Sequence, residues 1–384
     1  MRIAVLQGHS ENNVLTGFSE KLNLAFLELG CCSVMYDLRS EIKENARHIV
    51  RGSYDLVVSF NAMLSEFPVG QAAEAKSLAK AVGRSFLAWF VDDTLYHANR
   101  ILALPNEGQI LTPSRGHELF VRKLGNLSSV QQLLAGTTIR EFDPYIPFED
   151  REFDILIAGS WMGNPEPFWE QIKDPNLASL FRDLANSLET TAIPNVFERV
   201  LRELGNVGIE EVNLNELYPH FIGLHLFIRK WNRLRTVKKV AEQDNLKIAV
   251  IGKGWDASLL KYANVIHFDS VSHGDIKRLY RKSRFVICPN TENGACERVF
   301  DALEVGAIPI AEKCSSLGDI PALGDFIIFH DPHSNTDSKY LLDQVNNWHD
   351  YNLIARCAQE HVRKHETWLN RAQKLLTIAT HETI

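Results

Sequence analysis

Cysteine is scarce: the 384-residue chain has six, at 31, 32, 288, 296, 314 and 357. No spacing among them suits zinc, and several stand in apolar runs where cysteine serves as a small hydrophobe. Reduced thiols are the simple expectation, in keeping with a cytoplasmic protein. Long apolar runs are also missing. No window approaches ~20 uninterrupted apolar residues, which argues against a spanning helix. The opening MRIAVLQGHS is too short an apolar run for a signal peptide and lacks its cleavage pattern. Positive charge is not in excess, since the formal net charge is −7, so general nucleic-acid binding has no electrostatic support. No Gly-x-Gly-x-x-Gly follows the first apolar run, which counts against a dinucleotide cofactor. Internal repeats and low-complexity segments are absent.

What is present is a globular composition, 45% hydrophobic and 23% charged, on a chain long enough for two ordinary domains. Apolar runs of strand type fall at 2–7, 32–36, 55–60, 86–91 and 109–112, with helical patterns at 12–29, 70–82 and 114–124. Strands alternating with helices predict a doubly wound parallel sheet. Its strand-end loops hold Gly8, His9, Asn61, Asp92 and Asp93, where a site belongs. Asp143-Pro144-Tyr145-Ile146-Pro147 is a turn-rich link, and a domain boundary is expected there. A second sheet starts at 153–158 and ends on Gly159-Ser160. Small residues there let a backbone approach a phosphate, and serve an ordinary tight turn equally. Helical patterns follow through 165–245, the longest starting near Pro219, a residue that suits a first helical position. Strands at 247–251 and 265–268 enclose Gly252-Lys253-Gly254-Trp255. A basic run, Arg229 to Arg235 with Lys238 and Lys239, fits the solvated face of a helix, or a surface for an anionic acceptor or a membrane periphery.

The most informative stretch is 284–312, RFVICPNTENGACERVFDALEVGAIPIAE. A short apolar strand runs to Cys288, then a polar loop, then a helix from Glu297. Val299, Ala302, Leu303 and Gly306 share one helical face, Gly306 sits where a C-cap is expected, and Ile308-Pro309-Ile310 is the next buried strand. Glu297 and Arg298 occupy the first turn, where free N–H groups and the helix dipole favour an anion such as a diphosphate. An arginine there can fork onto phosphate oxygens. The same pair also suits a plain helix start, with Arg298 turned to water.

On these residues CERVFDALEVGAIPI resembles the nucleotide-sugar-binding segment of GT-B glycosyltransferases. It is most similar to the spore-maturation-type family of group 1 transferases, with the pattern Glu-Arg-Val-Phe-(Asp/Glu)-Ala-Leu-x-x-Gly. Related helices occur in fucosyltransferases and exostosin-type enzymes. The Gly-x-Gly-Trp loop at 252–255, His273-Gly274-Asp275 ahead of its helix, Trp89 to Asp93, and His365-Glu366-Thr367-Trp368 extend the likeness. The resemblance implies an α/β fold of two Rossmann-like doubly wound parallel-sheet domains facing a cleft: an acceptor-side domain 1–147, a donor-binding domain 148–345, and closing helices 346–384 that cross back. It implies a ribose-binding role for Glu297 and a diphosphate role for Arg298. Asp301 would stand at the second Glu of a Glu-x7-Glu motif, and Asn293 at the first, a departure from the retaining-enzyme pattern.

A transferase must neutralise its leaving diphosphate and, if it inverts, supply a base. Candidates for the donor are Arg298, Glu297, Lys253, Gly159, Ser160, Asn293 and Asp301. Candidates for the base are His9, whose ordinary pKa near ~6.5 suits proton transfer, and Asp92 and Asp93, a like-charge pair. His273 and Asp275 fit helix capping. The expectation is metal-independent transfer of a sugar from a nucleotide-activated donor to a glycan, protein or other surface-polymer acceptor. No cofactor and no nucleic-acid partner is expected. An epimerase or phosphorylase on the same fold, or a silent nucleotide-sugar-binding module, are the alternatives.

Overall fold

The computed structural model describes the chain apart from residues 9–12, 38, 72–73, 126, 128, 138–143, 190, 192, 194, 210–211, 270, 272, 289–296, 313–316, 318–320, 332–334 and 382–384. It divides into two compact units, Met1–Thr138 with His365–Ile384, and Ile139–Lys364.

In the first unit the strands are β1 (Arg2–Gln7), β2 (Cys32–Asp37), β3 (Leu56–Phe60), the short pair β4 (Pro68–Val69) and β5 (Lys76–Ser77), β6 (Phe86–Trp89), β7 (Gln109–Thr112) and β8 (Val130–Gln132). All but β4 and β5 join one sheet in the order β2-β1-β3-β6-β7-β8, with every neighbouring pair parallel. Parallel neighbours need crossovers, and α1 (Val14–Glu28), α2 (Ile42–Arg51), α3 (Leu78–Val82), α4 (Ala98–Leu102) and α5 (Arg115–Gly125) lie between the strands in sequence. β3 and β6 are buried on both faces, which is why their sequences are apolar throughout but for Ser59. The helix Trp368–His381 completes this core. Trp368 lies 5.0 Å from Phe18 and 5.8 Å from Trp89, ring centre to ring centre. The buried Arg371 beside it donates to the Leu134 carbonyl at 2.8 Å and pairs with Glu366.

The second unit holds β9 (Phe153–Ala158), β10 (Ile248–Ile251), β11 (Val265–Phe268), β12 (Ser283–Cys288), β13 (Ile308–Glu312) and β14 (Ile328–His330), in the order β11-β10-β9-β12-β13-β14. These pairs are parallel throughout. Its helices include α6 (Pro175–Ser187), α7 (Val196–Asn206), α8 (Leu214–Ala241), α9 (Ala257–Leu260), α10 (His273–Arg281) and α11 (Glu297–Glu304). The chain steps outward from β9 through β10 to β11, then returns to the other side of β9 with β12. That reversal opens a crevice beyond the carboxyl ends of β9 and β12, where ligands of such sheets bind.

Several local expectations change. The pattern at 70–82 is helical only over Leu78–Val82, because β4 and β5 pair antiparallel ahead of it. Pro219 lies inside α8, which starts earlier, with the Asn213 side chain accepting from the Asn215 N–H at 3.1 Å. The basic run is solvated only in part: Lys238 is exposed and Arg229, Lys230, Arg235 and Lys239 are half-buried, but Asn232 and Arg233 are buried. The compact units divide near 138 and 364. The turn-rich link is tied into the second unit: Tyr145 donates its hydroxyl to Asn352 Oδ1 at 2.6 Å, and the Phe148 N–H just beyond it donates to the same atom at 3.2 Å.

Candidate functional site

Three adjacent strands end together in the second unit. β9 runs into Gly159, with φ at 146°, and β10 into Gly252, with φ at 128°. Both angles lie in the region side chains disfavour. A Cβ on Gly252 would stand 2.5 Å from the Gly159 carbonyl oxygen, so only glycine lets the two turns touch. Hydrogen bonds lock them: Gly159 N–H to the Ile251 carbonyl at 2.9 Å, and Trp161 N–H to the Lys253 carbonyl at 2.9 Å. Trp255 Nε1 donates to the Gly159 carbonyl at 3.0 Å, and its ring lies 5.4 Å from that of Trp161. Ser160 and Lys253 are exposed at the rim of these turns. Loops held this tightly present bare backbone to a ligand with little ordering cost.

The third strand, β12, leads to α11. Val299, Phe300, Ala302 and Leu303 are buried, while Glu297 and Arg298 are half-buried in the first turn. Gly306, with φ at 71°, closes the helix: its N–H reaches the Leu303 carbonyl at 2.9 Å, and Ala307 N–H the Ala302 carbonyl at 2.9 Å. This is the expected glycine cap. Asp301 is engaged elsewhere on α11. The buried Lys277 of α10 lies 3.2 Å from Asp301 and 2.5 Å from Glu304. Burial alone would pull the Lys277 ammonium down, but the two carboxylates outweigh it and hold its pKa above the ordinary lysine value. His9 and Asn293 lie outside the described residues.

At the strand ends of the first unit, Asn61 sits with φ at 51° and clamps the end of β6. Its Oδ1 accepts from the Val91 N–H at 2.9 Å, and its Nδ2 donates to Asp92 Oδ2 at 2.6 Å. Asp93 accepts from the Leu95 N–H at 2.9 Å and faces His117 Nε2 at 3.4 Å. His97 is half-buried beside them, and desolvation, then the Arg100 charge, lowers its pKa to about 4. Both carboxylates thus have assigned partners. His97, Arg100 and His117 belong to this cluster, and no spacing marked them in the sequence.

A second cluster was also unmarked. Glu312 ends β13 in full burial, and Asn232 Nδ2 of α8 donates to its Oε2 at 2.9 Å. Burial pushes the Glu312 carboxyl up to about 7, against the lowering pull of the Asn232 bond and of Arg233. Glu312 Oε1 and Asn232 Oδ1 are both buried without a hydrogen-bond donor. Arg233, one residue on, donates to the Ser160 carbonyl at 2.6 Å. One signal was available: Arg229 and Arg233 stand four apart on a helix that also carries apolar residues. Among the described residues, no group of three or more His, Cys, Asp or Glu could hold a metal ion, and no helix is long and apolar enough to cross a membrane.

Residues 229–377, less than half of the chain, match a family model described as glycosyl transferase-like. No curated protein matches the sequence. Among solved structures, the fold is similar to a sucrose-phosphate synthase from Thermosynechococcus elongatus (TM-score 0.58, 10% identity, covering 100% of this chain and 99% of that one). It is similar to WaaG, a glycosyltransferase involved in lipopolysaccharide biosynthesis (0.53, 12% identity, 99% and 100% covered). It is similar also to HepE from Anabaena, solved with UDP and glucose (0.50, 11% identity, 99% and 100% covered). The fold is GT-B, with two parallel-sheet α/β units, and the matched segment together with the fold supports a transferase.

Proposed function

We propose that this chain is a glycosyltransferase whose second unit binds a nucleotide-activated sugar at the carboxyl ends of β9, β10 and β12. The observation that carries the reading is the locked pair of glycine turns at Gly159 and Gly252, set on the strands beside the one that leads to Glu297 and Arg298. The glycosyl transferase-like match spans two of these features, the Gly252 turn and α11. Arg298 is the cation for the diphosphate, helped by the N–H groups of the α11 first turn, and Glu297 accepts from the ribose. Lys253, on an exposed turn, adds charge at the rim, and the bare backbone of Gly159 and Ser160 admits the phosphates. Asn293, four positions ahead of Glu297 in the sequence, stays a candidate on its residue type alone. Asp301 acts through its bond to Lys277, setting α11 against α10.

In the reaction an acceptor hydroxyl attacks the anomeric carbon, the bond from that carbon to the diphosphate oxygen breaks, and the hydroxyl proton passes to a base. His9, Asp92 and Asp93 are the candidates for that proton, with no resident metal or cofactor required. The structure of HepE with UDP makes a uridine diphosphate sugar the first donor to try. A thermal-shift screen across nucleotide sugars tests the reading, since a ligand bound only by the folded chain raises its melting temperature. At a hundredfold excess over Kd the added stability is ~2.7 kcal/mol. A chain that no nucleotide sugar stabilises, and that transfers no labelled sugar to any acceptor in a broad panel, is not this enzyme.

A further inference from the structure

We infer that Arg233 is a positioning residue that places a positive charge behind the Gly159–Ser160 turn for the diphosphate of the donor; the inference rests on the donor-site reading above. α8 reaches the ends of two strands with consecutive side chains: Asn232 holds Glu312 at the end of β13, and Arg233 holds Ser160 just past the end of β9. Between those two strands in the sheet runs β12, the strand that leads to α11. The helix therefore ties together the two sides of the crevice on which the donor reading depends.

Arg233 is only 4% exposed, yet it lies against the turn a ligand would meet. A Cβ on Gly159 would stand 3.7 Å from its guanidinium, so the side-chain direction of that glycine faces Arg233. A buried guanidinium incurs a desolvation cost that an uncharged donor avoids, offset in part by the neighbouring Glu312 carboxylate, whose pKa it lowers. Charge in so dry a position acts strongly on an anion placed on the turn. The bond to the Ser160 carbonyl also fixes which way that peptide points.

The test compares the diphosphate with its nucleoside. R233Q keeps an N–H donor for the Ser160 carbonyl but removes the charge, and R233K keeps the charge. UDP, GDP and ADP, each beside uridine, guanosine or adenosine, are titrated by calorimetry into the full-length chain, with circular dichroism confirming each variant's fold. For the diphosphate that the wild type binds, R233Q should lose about tenfold or more in affinity, its nucleoside affinity staying within about twofold of the wild type. R233K should keep its diphosphate-to-nucleoside ratio within about threefold of the wild type. Equal losses for nucleoside and diphosphate in R233Q, or no loss at all, overturn the inference and leave the donor site standing. If R233Q does not fold, R233K decides alone, and a ratio that collapses more than tenfold overturns it. A wild-type chain that binds none of the three diphosphates defeats the donor reading itself, and the inference with it.

Discussion

Replacing Glu312 by Gln is expected to stabilise the chain at alkaline pH and to do nearly nothing at acid pH. Glu312 is buried at the end of β13, with Asn232 and Arg233 of α8 beside it. Arg229 and Asp331 add opposing charge effects, and His330 of β14 stands opposite in the strand register. One carboxylate oxygen accepts from Asn232 Nδ2, while the other, and the Asn232 carbonyl oxygen, are buried without a donor. A single proton on Glu312 supplies the missing donor. The carboxyl is pushed up from its ordinary 4.5 to about 7, chiefly by burial. The folded chain therefore holds this proton more tightly than the unfolded chain does. Stability from the group is complete below about pH 4.5 and is lost as pH rises through about 7. At ~1.4 kcal/mol for each pH unit between those values, the loss is roughly 3 kcal/mol. Glutamine carries the extra donor at every pH, so E312Q should match the wild type near pH 5 and exceed it by up to roughly 3 kcal/mol at pH 8. The assay is urea unfolding of both chains across that range. Background titrations cancel in the difference. A difference that stays flat with pH, or a glutamine variant that is weaker at pH 8, refutes the reasoning.

Other perturbations have definite expected outcomes. Arg298→Ala should weaken nucleoside diphosphate binding by roughly ten- to a hundredfold, the worth of ~1.5–3 kcal/mol for a charged hydrogen bond. Calorimetry checks it, and unchanged affinity removes α11 from the site. Lys277→Met removes the ammonium that pairs with Asp301 and Glu304, carboxylates with side-chain exposures of 13% and 3%. It should cost about 3–5 kcal/mol in urea unfolding, and a neutral result would mean that the two carboxylates are compensated without Lys277. Gly252→Ala drives a Cβ to 2.5 Å from the Gly159 carbonyl at a φ of 128°, and should cost about 3 kcal/mol or more. Gly205→Ala, in α7 where a Cβ meets nothing within 4 Å, should instead add about 0.4–1 kcal/mol.

The sheets were legible where strands are long and doubly buried. β1, β3, β9 and β12 are dominated by apolar residues, and a run of that length between turn residues has few other readings. α11 and its cap were legible too, because the buried positions Val299, Ala302 and Leu303 and the glycine at 306 follow local helical rules. β8 and β14 have three residues each, too few to show a period. α2 escaped notice because only Ala46 and Ile49 of its ten residues are buried, leaving a charged sequence with little apolar signal. The helical pattern at 70–82 misled because pairing of β4 with β5 overrode local propensity. At the candidate site, the glycine turns and the first turn of α11 could be marked from residue type and position. The contacts that hold them could not. Arg233 meets Ser160 across 73 positions and Asn232 meets Glu312 across 80. Partners so far apart are joined by the packing of α8 on the sheet, which no window of sequence contains. A cluster of basic residues looks the same in sequence whether its arginines face water or a buried carbonyl.

Hydrogen–deuterium exchange on the full-length chain, with and without a nucleoside diphosphate sugar, tests the central claim most directly. The predicted result is slowed exchange at the turns following β9 and β10 and at the first turn of α11, with β7 and β8 of the first unit unaffected. Slowed exchange confined to the first unit, with the glycine turns and α11 unchanged at saturating donor, would contradict it.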